Sequence, residues 1–210
     1  MPWYEHGRPF EGYTVVIVGQ GPSVVPTEVT KISSIFPTVA IKDTYRWAPK
    51  AQIIYACDRA WWFSRWRTDE ALREHPADKV VLDYQKMDTK VPGLYWLKCG
   101  GNEGFDYREG YVCHGRNSGH QALNMVVNMG PSKIILMGYD MREINGKMHC
   151  DVPHVPVPPS VLDDFYNAFM KAVPSLLKRN VQIVNTSAQS RITCFPKLTL
   201  EQAIEWGKYV

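Results

Sequence analysis

Seven short apolar runs rich in β-branched residues recur along the chain, and each is bounded by turn-forming residues. They occupy residues 14–19, 38–42, 52–57, 79–84, 94–98, 133–140 and 181–187. Their apolarity is continuous rather than alternating, which is typical of strands that are covered on both faces, as in a parallel sheet. The runs therefore predict buried and mostly parallel strands.

The segments between these runs carry helical signals. Helices are predicted over residues 26–36, 59–75, 118–129, 160–178 and 200–206. In the fourth segment apolar residues recur near the helical period, Ser160 is positioned as the N-cap, and Pro174 is expected to introduce a kink. Strands that alternate with helices predict an α/β fold, a doubly wound, mostly parallel sheet with helices on both faces, in a single domain over residues 1–210.

A proline-rich stretch interrupts this alternation at residues 151–159, "DVPHVPVPP". Proline cannot donate a backbone hydrogen bond, so this stretch can form neither a regular helix nor a central strand. We expect a loop or lid over one end of the sheet, at about residues 141–159.

Composition narrows the class of protein without identifying a ligand. The formal charge of +3 and the pI near 8.5 are too weakly basic to indicate a nucleic-acid partner, yet they suit a phosphorylated ligand. Five cysteines without a close CxxC pair indicate neither a disulfide framework nor a zinc knuckle. Residues 1–13 lack the order of a signal peptide, and no run approaches the ~18 apolar residues of a membrane span. We therefore expect a cytoplasmic protein without a membrane span.

The first predicted strand runs directly into a glycine turn. Its residues are Gly19, Gln20, Gly21, Pro22 and Ser23. Glycines there let the backbone approach a ligand where a Cβ would collide, and a serine hydroxyl with nearby amides suits a phosphate or ribose oxygen. A tight strand-to-helix turn without a ligand explains the same residues, because the third glycine of GxGxxG and the lysine of a Walker A loop are absent. The spacing alone leaves both interpretations open.

Polar residues recur at the carboxyl ends of other predicted strands. Asp58 follows the third run, and Asp140 ends the sixth. Asn117, Ser118 and Gly119 stand at the start of the third predicted helix, where Asn or Ser caps the helix and the helix N-terminus attracts anions. Open α/β sheets bind ligands at this edge, so we expect these residues to border one ligand site.

Four segments together resemble a Rossmann-like superfamily that has a GxGPS turn. They are "VVIVGQGPSV", "IIYACD", "NSGHQALNMVVNMGPSKIILMGYDM" and "VQIVNTSAQSRI", in order from about residue 14 to residue 191. The superfamily includes bacterial sialyltransferases that use a cytidine-monophosphate sugar, motility accessory factors and hydroxymethylpterin pyrophosphokinases. This chain is most similar to its short phage-encoded members.

The resemblance implies a Rossmann-like fold and a nucleotide site. It assigns to nucleotide binding Gly19, Gln20, Gly21, Pro22, Ser23, Asp58, Asn117, Ser118, Gly119 and Asp140. Gln20 stands where the sialyltransferases have an asparagine, which retains an amide. Asp58 replaces a second asparagine, which places a carboxylate near the expected phosphate. A nucleotide sugar is the implied donor, and no tightly bound cofactor is expected.

Sugar transfer requires a base for the acceptor hydroxyl and stabilisation of the departing phosphate. In the sialyltransferases a histidine follows the Gly-x-Asp strand, so the resemblance implies that His149 or His154 is the candidate catalytic base. Arg116, Arg142 or Lys147 would stabilise the leaving group. The two histidines have two other interpretations. They are surface loop residues, or they form a metal cluster with Cys150 and Asp151, which lie between them. The cluster lacks the helical spacing that aims two imidazoles at one ion, so we predict no metal site.

The aromatic stretch "WWFSRWR", residues 61–67, permits two interpretations. Its rings are able to stack on bases and its arginines to bind phosphates. Helical periodicity instead favours core and interface residues, with Arg65 and Arg67 solvated. A contact within a homo-oligomer fits the same residues.

These observations predict a nucleotide-binding, glycosyltransferase-like transferase that moves a group from a nucleotide-activated donor to an acceptor. A pterin pyrophosphokinase-like enzyme that uses ATP, with Mg²⁺ held by Asp58 or Asp140, is the first alternative. A non-catalytic phage accessory protein that binds a nucleotide or another protein is the second.

Overall fold

The computed structural model describes residues 4–83, 91–150, 158 and 160–209, and these residues form an eight-stranded sheet. The strands are β1 (Thr14–Val18), β2 (Thr38–Ile41), β3 (Ile53–Tyr55), β4 (Asp78–Asp83), β5 (Leu94–Gly101), β6 (Tyr111–Cys113), β7 (Lys133–Met137) and β8 (Gln182–Asn185). Their spatial order is β6-β5-β4-β3-β2-β1-β7-β8, and each neighbouring pair is parallel. The predicted Rossmann-like, doubly wound α/β fold is confirmed.

Helices cover both faces of the sheet. They are α1 (Pro26–Ser33), α2 (Arg59–Thr68), α3 (Glu70–Glu74), α4 (Ser118–Asn128), α5 (Ser160–Leu176) and α6 (Leu200–Lys208). A 3-10 helix, Lys42–Trp47, follows β2. Helices α4 and α5 pack on one face, whereas α1, α2, α3 and α6 pack on the other. No helix in the described part of the chain has the length and apolarity needed to cross a membrane.

Alternate residues of each strand enter the two opposite cores. In β1, Val15 and Ile17 join the core under α4 and α5, and Val16 and Val18 join the core on the other face. All four side chains are fully buried. Burial on both faces is why these four consecutive positions are apolar, as expected for a parallel sheet.

The order in which strands are added to the sheet reverses at β1. Strands β2 to β6 are added in order on one side of β1, and the chain then returns through α4 to β7, which pairs with the other edge of β1. Helix α1, which follows β1, and helix α5, which follows β7, lie on opposite faces. Neighbouring strands that send the chain to opposite faces open a crevice at their carboxyl ends.

Three local elements differ from the sequence prediction. The apolar pattern does not predict β6, which has only three residues, or the 3-10 helix, which has no apolar period. The helix predicted over residues 59–75 is two helices, broken at Asp69. Asp69 caps α3 by accepting a hydrogen bond from the Leu72 amide, and it also binds Tyr45 and Arg46. These partners come from distant parts of the chain, so helical periodicity cannot reveal the break.

The predicted lid is described in part. Residues 141–150 contain a turn closed by an antiparallel bridge between Ile144 and Lys147. Of the proline-rich stretch 151–159, Pro158 is described and the remainder lies outside the described residues. Helix α5 continues through Pro174 to Leu176, two residues short of the predicted end.

Asn124 of α4 holds the edge strand β6 in place. Its Oδ1 accepts hydrogen bonds from the amides of Asp106 and Cys113, each at 3.0 Å. Its Nδ2 donates to the carbonyl oxygen of Asp106 at 2.7 Å. The side chain is fully buried, so these bonds form in a low-dielectric environment and their loss leaves unpaired polar groups.

Replacing Asn124 with alanine should lower the free energy of unfolding by about 2–6 kcal/mol, because two buried amides lose their acceptor at about 1–3 kcal/mol each. Chemical denaturation measures the change. The matched control is Asn180→Ala, which removes an exposed amide and should change stability by less than about 0.5 kcal/mol. An Asn124→Ala protein as stable as the control would contradict the anchoring role.

Candidate functional site

A cleft of about 240 Å³ lies at the carboxyl ends of β1, β2, β3 and β7. Ten of the twelve predicted site residues line it, namely Gly19, Gln20, Gly21, Pro22, Asp58, Asn117, Ser118, Gly119, Asp140 and His149. Ser23 lies beside the cleft without lining it, and His154 is outside the described residues. The fold therefore brings four separate segments of the chain to one cavity at the crevice between β1 and β7.

The glycines of the turn after β1 are required by its packing against the turn after β7. A Cβ on Gly19 would lie 2.7 Å from the carbonyl oxygen of Gly138, and a Cβ on Gly21 would lie 2.1 Å from Asp140 Oδ2. Gly138 has a φ of +66°, and a Cβ there would meet Val24 at 2.3 Å. The two turns are in such close contact that their glycines are explained without a ligand.

Three amides of the first turn donate hydrogen bonds within the protein. The donors are Gly19, Gly21 and Ser23, and their acceptors are Met137 O at 2.8 Å, Gly138 O at 2.9 Å and Asp140 Oδ2 at 3.0 Å. The Ser23 hydroxyl is also paired, with Ser187 Oγ at 2.8 Å. Phosphate contacts from these groups would require them to exchange partners. In this arrangement the side chain of Gln20 is the part of the turn that can bind a ligand.

Within the described part of the chain, Gln20 Nε2 and Asp140 Oδ1 have no hydrogen-bond partner, and both atoms are buried. Gln20 is 9% exposed and Asp140 is 1% exposed, yet both residues line the cleft. Nearly all buried polar groups in proteins are paired, so these two atoms are available to pair with a water molecule or with a ligand.

The first residues of α4 and its N-cap form hydrogen bonds within the protein. Asn117 Oδ1 caps the helix by accepting from the His120 amide at 2.8 Å. Ser118 Oγ accepts from the Cys57 amide at 3.1 Å, which ties α4 to the end of β3. The carbonyl oxygen of Gly119 accepts from the Tyr139 hydroxyl at 3.0 Å. The capping role expected from the sequence is present, and the ligand role stays a prediction.

Lys42 is a cleft residue that the sequence analysis does not identify. It follows β2, and its Nζ forms an ion pair with Asp58 Oδ2 at the start of α2. The Lys42 side chain is 14% exposed and that of Asp58 is 48% exposed. The carboxylate that the sequence places near an expected anion is therefore neutralised by a lysine. No motif marks this lysine, because the pair joins the ends of two different strands.

Backbone strain is concentrated at the cleft. The described non-glycine residues with a positive φ are Lys42, Arg116, Met141 and Asn145, with values from 50° to 60°. The first three line the cleft. A left-handed conformation costs a non-glycine residue about 1–2 kcal/mol, and such residues cluster at functional sites. Their distribution supports the cleft as the functional region of the molecule.

The candidate catalytic groups are only partly brought to the cleft. His149 is half-buried in its wall, beside Met148. Of the three residues expected to stabilise a leaving group, Arg116 lines the cleft, with Nη1 2.9 Å from Asp164 Oδ2. Arg142 and Lys147 are exposed and are not part of the lining.

Two other ionisable side chains of the cleft are held in their neutral forms. Burial, reinforced by the nearby Asp58 carboxylate, raises the pKa of the Cys57 thiol to about 11. Burial also raises the pKa of Tyr139 well above its ordinary value. Neither group is an anionic nucleophile at neutral pH.

The aromatic stretch at residues 61–67 belongs to the core and does not line the cleft. Trp62 is fully buried, and its Nε1 donates to the carbonyl oxygen of Ala56 at 2.9 Å. Trp61 Nε1 donates to Asp43 Oδ2 at 2.9 Å. The prediction that Arg65 is solvated is wrong, because its Nε lies 2.8 Å from Asp43 Oδ1 and its side chain is 21% exposed.

Comparisons with known proteins do not identify a relative. No protein-family model matches this chain, and no curated protein or solved structure is significantly similar to it. Within the described ranges, no three His, Cys, Asp or Glu side chains are grouped as metal ligands. What the cleft binds must therefore be inferred from its own side chains.

His120 is a buried histidine whose protonation should affect the stability of the fold. It is fully buried in α4 between Phe105 and Phe169, with ring centroids 4.9 Å and 5.5 Å away. Burial lowers the pKa of His120 to about 4. An unfolded histidine has a pKa of ~6.5, so between these values the unfolded state binds a proton that the folded state does not. Stability should therefore fall as the pH falls through this window.

Between pH 7 and pH 4 the wild-type protein should lose up to about 3 kcal/mol more unfolding free energy than a His120→Leu variant, at about 1.4 kcal/mol for each pH unit between the two pKa values. Denaturant titrations at several pH values measure both slopes. The comparison with His120→Leu subtracts the contributions of the other histidines. Parallel pH profiles for the two proteins would show that His120 is not the group responsible.

Proposed function

We propose that this protein binds a nucleotide in the cleft and acts as a nucleotide-dependent, glycosyltransferase-like transferase. The observation that carries the proposal is the convergence of residues 19–22, 57–58, 116–119 and 138–141 on one cleft. Doubly wound sheets bind ligands at the carboxyl ends of strands whose connections diverge, which is the position of this cleft. The strained residues Lys42, Arg116 and Met141 further support a functional role.

The size of the cleft restricts what it encloses. Its volume of about 240 Å³ is slightly below the roughly 300–1,000 Å³ of sites that enclose drug-sized ligands. A ligand of about mononucleotide size suits this space. The transferable group of a larger donor would project from the cleft, where it meets the acceptor.

His149 is the proposed base of the transfer step. Imidazole is suited to proton transfer near neutral pH, and His149 is half-buried in the wall of the cleft. The acceptor oxygen forms a bond to the donor carbon while His149 takes the hydroxyl proton. The bond between that carbon and the phosphate oxygen breaks, and its electron pair leaves with the phosphate. Arg116 has donors beyond the one directed at Asp164, and these can stabilise the phosphate.

A pyrophosphokinase-like reaction is the second candidate, because Asp58 and Asp140 both line the cleft. One or two carboxylates together with substrate phosphates are the usual ligands of Mg²⁺, which would neutralise the phosphates of a triphosphate. Both carboxylates already have protein partners, however, since Asp58 pairs with Lys42 and Asp140 accepts from the Ser23 amide. This arrangement favours the transferase, which needs no metal.

The proposal places the protein in the cytoplasm, of a host cell if it is phage-encoded. All five cysteines are free thiols. Free thiols are the usual state in a reducing compartment, where disulfides rarely persist. The same compartment supplies nucleotides.

Thermal denaturation in the presence of cytidine, uridine, guanosine and adenosine nucleotides tests the proposal. At least one nucleotide at millimolar concentration should raise Tm without Mg²⁺, since a ligand at 100 times its Kd adds about 2.7 kcal/mol of stability. A rise that requires both a triphosphate and Mg²⁺ would favour the pyrophosphokinase-like candidate. No rise with any nucleotide would contradict nucleotide binding.

Two matched variants locate the bound nucleotide. Leu162 lines the cleft, and Leu177, one residue beyond α5, is 81% exposed. Leu162→Trp should fill the cleft and remove the Tm shift, whereas Leu177→Trp should retain it. If Leu162→Trp shows the wild-type shift, the nucleotide binds elsewhere.

A further inference from the structure

The positively charged side chain of Lys42 lies in the wall of the cleft. Its side chain is only 14% exposed, and its Nζ is paired with Asp58 Oδ2. Removing an ammonium group from water is costly unless a negative group lies beside it. Asp58 supplies that negative group in this structure.

The two partners differ in their access to water. The Asp58 side chain is 48% exposed, and it makes no capping hydrogen bond with α2 although it occupies the N-cap position. Its carboxylate can therefore turn into solvent at little desolvation cost. Lys42 is enclosed and needs a negative partner. An anionic ligand that enters the cleft can thus replace Asp58, while Lys42 stays in place.

The backbone of Lys42 has a strained conformation. Its φ is +52°, a left-handed conformation that glycine and asparagine adopt more easily than lysine. The conformation costs a lysine about 1–2 kcal/mol. Strain of this kind persists where the surrounding structure or the function requires it.

The remaining groups of the cleft define the complement of a phosphorylated ligand. Arg116 is 68% exposed and bound to Asp164, so it lies further into solvent than Lys42. Among the residues that the structure describes, none pairs with the donor Gln20 Nε2 or with the acceptor Asp140 Oδ1. A phosphate accepts from Lys42 and Gln20, whereas a hydroxyl of the same ligand donates to Asp140.

We infer that Lys42 is the phosphate-binding residue of the cleft and that Asp58 is its exchangeable partner, which the phosphate of the ligand replaces. The ligand class is a phosphorylated nucleoside with a free hydroxyl, rather than an uncharged nucleoside. The identification of that ligand as a nucleotide rests on the proposed function. The role of Lys42 is tested separately with inorganic pyrophosphate.

The experiment compares a nucleoside with its 5′-monophosphate by isothermal titration calorimetry, using the base selected by thermal denaturation. The variants are Lys42→Asn and Asp58→Asn. Asparagine tolerates the left-handed conformation of residue 42 and is as good an N-cap as aspartate at residue 58, so both variants should fold.

The wild-type protein should bind the monophosphate more tightly than the nucleoside. Lys42→Asn should bind the monophosphate at least tenfold more weakly, because a charge-assisted hydrogen bond contributes about 1.5–3 kcal/mol and 1.4 kcal/mol is tenfold. Asp58→Asn should bind it up to about tenfold more tightly, because a competing carboxylate is removed. The effect of each substitution should be larger on the affinity for the monophosphate than on the affinity for the nucleoside.

Lys31 and Glu201 provide matched controls. They form a second lysine–carboxylate pair, 3.3 Å apart, which is exposed and does not line the cleft. Lys31→Asn and Glu201→Gln change the net charge of the protein by the same amounts as the two cleft variants. Neither control should alter the affinity for the monophosphate, since exposed charges at a distance are largely screened.

Thermal denaturation with inorganic pyrophosphate separates the two proposals. If pyrophosphate stabilises the wild type but not Lys42→Asn, and no nucleotide binds, then Lys42 has the inferred role and the proposed function fails. If Lys42→Asn keeps the wild-type preference for the monophosphate, the role of Lys42 is overturned and nucleotide binding stands. If Lys42→Asn keeps the wild-type pyrophosphate shift, the role of Lys42 is overturned whether or not a nucleotide binds. If the wild type binds neither compound, both are overturned.

Discussion

The close contact between the turns after β1 and β7 determines the shape of the site. Gly19 and Gly21 approach the second turn so closely that a Cβ on either would overlap its atoms, and Asp140 joins the turns by accepting the Ser23 amide. The helices that follow the two strands, α1 and α5, lie on opposite faces of the sheet. The cleft lies where two tightly packed turns lead to helices on opposite faces.

The charges around this cleft are balanced by carboxylates that remain accessible. Lys42 pairs with Asp58 and Arg116 pairs with Asp164, and each carboxylate side chain is about half exposed, at 48% and 46%. The exposed pair of Arg116 contributes little to stability, whereas the enclosed ammonium group of Lys42 needs a negative partner. Both carboxylates can turn into solvent, which is the property that the proposed exchange with an anionic ligand requires.

Helix α4 couples the site to the core. Its first residues form part of the cleft, while the residues that follow are buried and hold distant parts of the chain. Gln121 accepts from the Tyr55 hydroxyl at 2.6 Å, and Asn124 holds β6. Because these polar contacts are buried, a shift of α4 would break several of them at once. The position of Asn117 and Ser118 in the cleft is therefore maintained by the core.

The linear pattern of residues was sufficient for the architecture and for most of the cleft. Continuous apolar runs require cover on both faces of the sheet. Because the carboxyl ends of parallel strands share one edge of the sheet, Asp58 and Asp140 were expected at the same edge. The pattern missed the break at Asp69, the ion pair of Arg65 with Asp43 and the ion pair of Lys42 with Asp58. Each depends on a partner from another element, and so does the direction in which each turn amide donates. Such pairings arise only when the sheet brings distant segments together. Hydrophobic periodicity shows which face of an element is buried, but it does not show which residue of another element a side chain will contact.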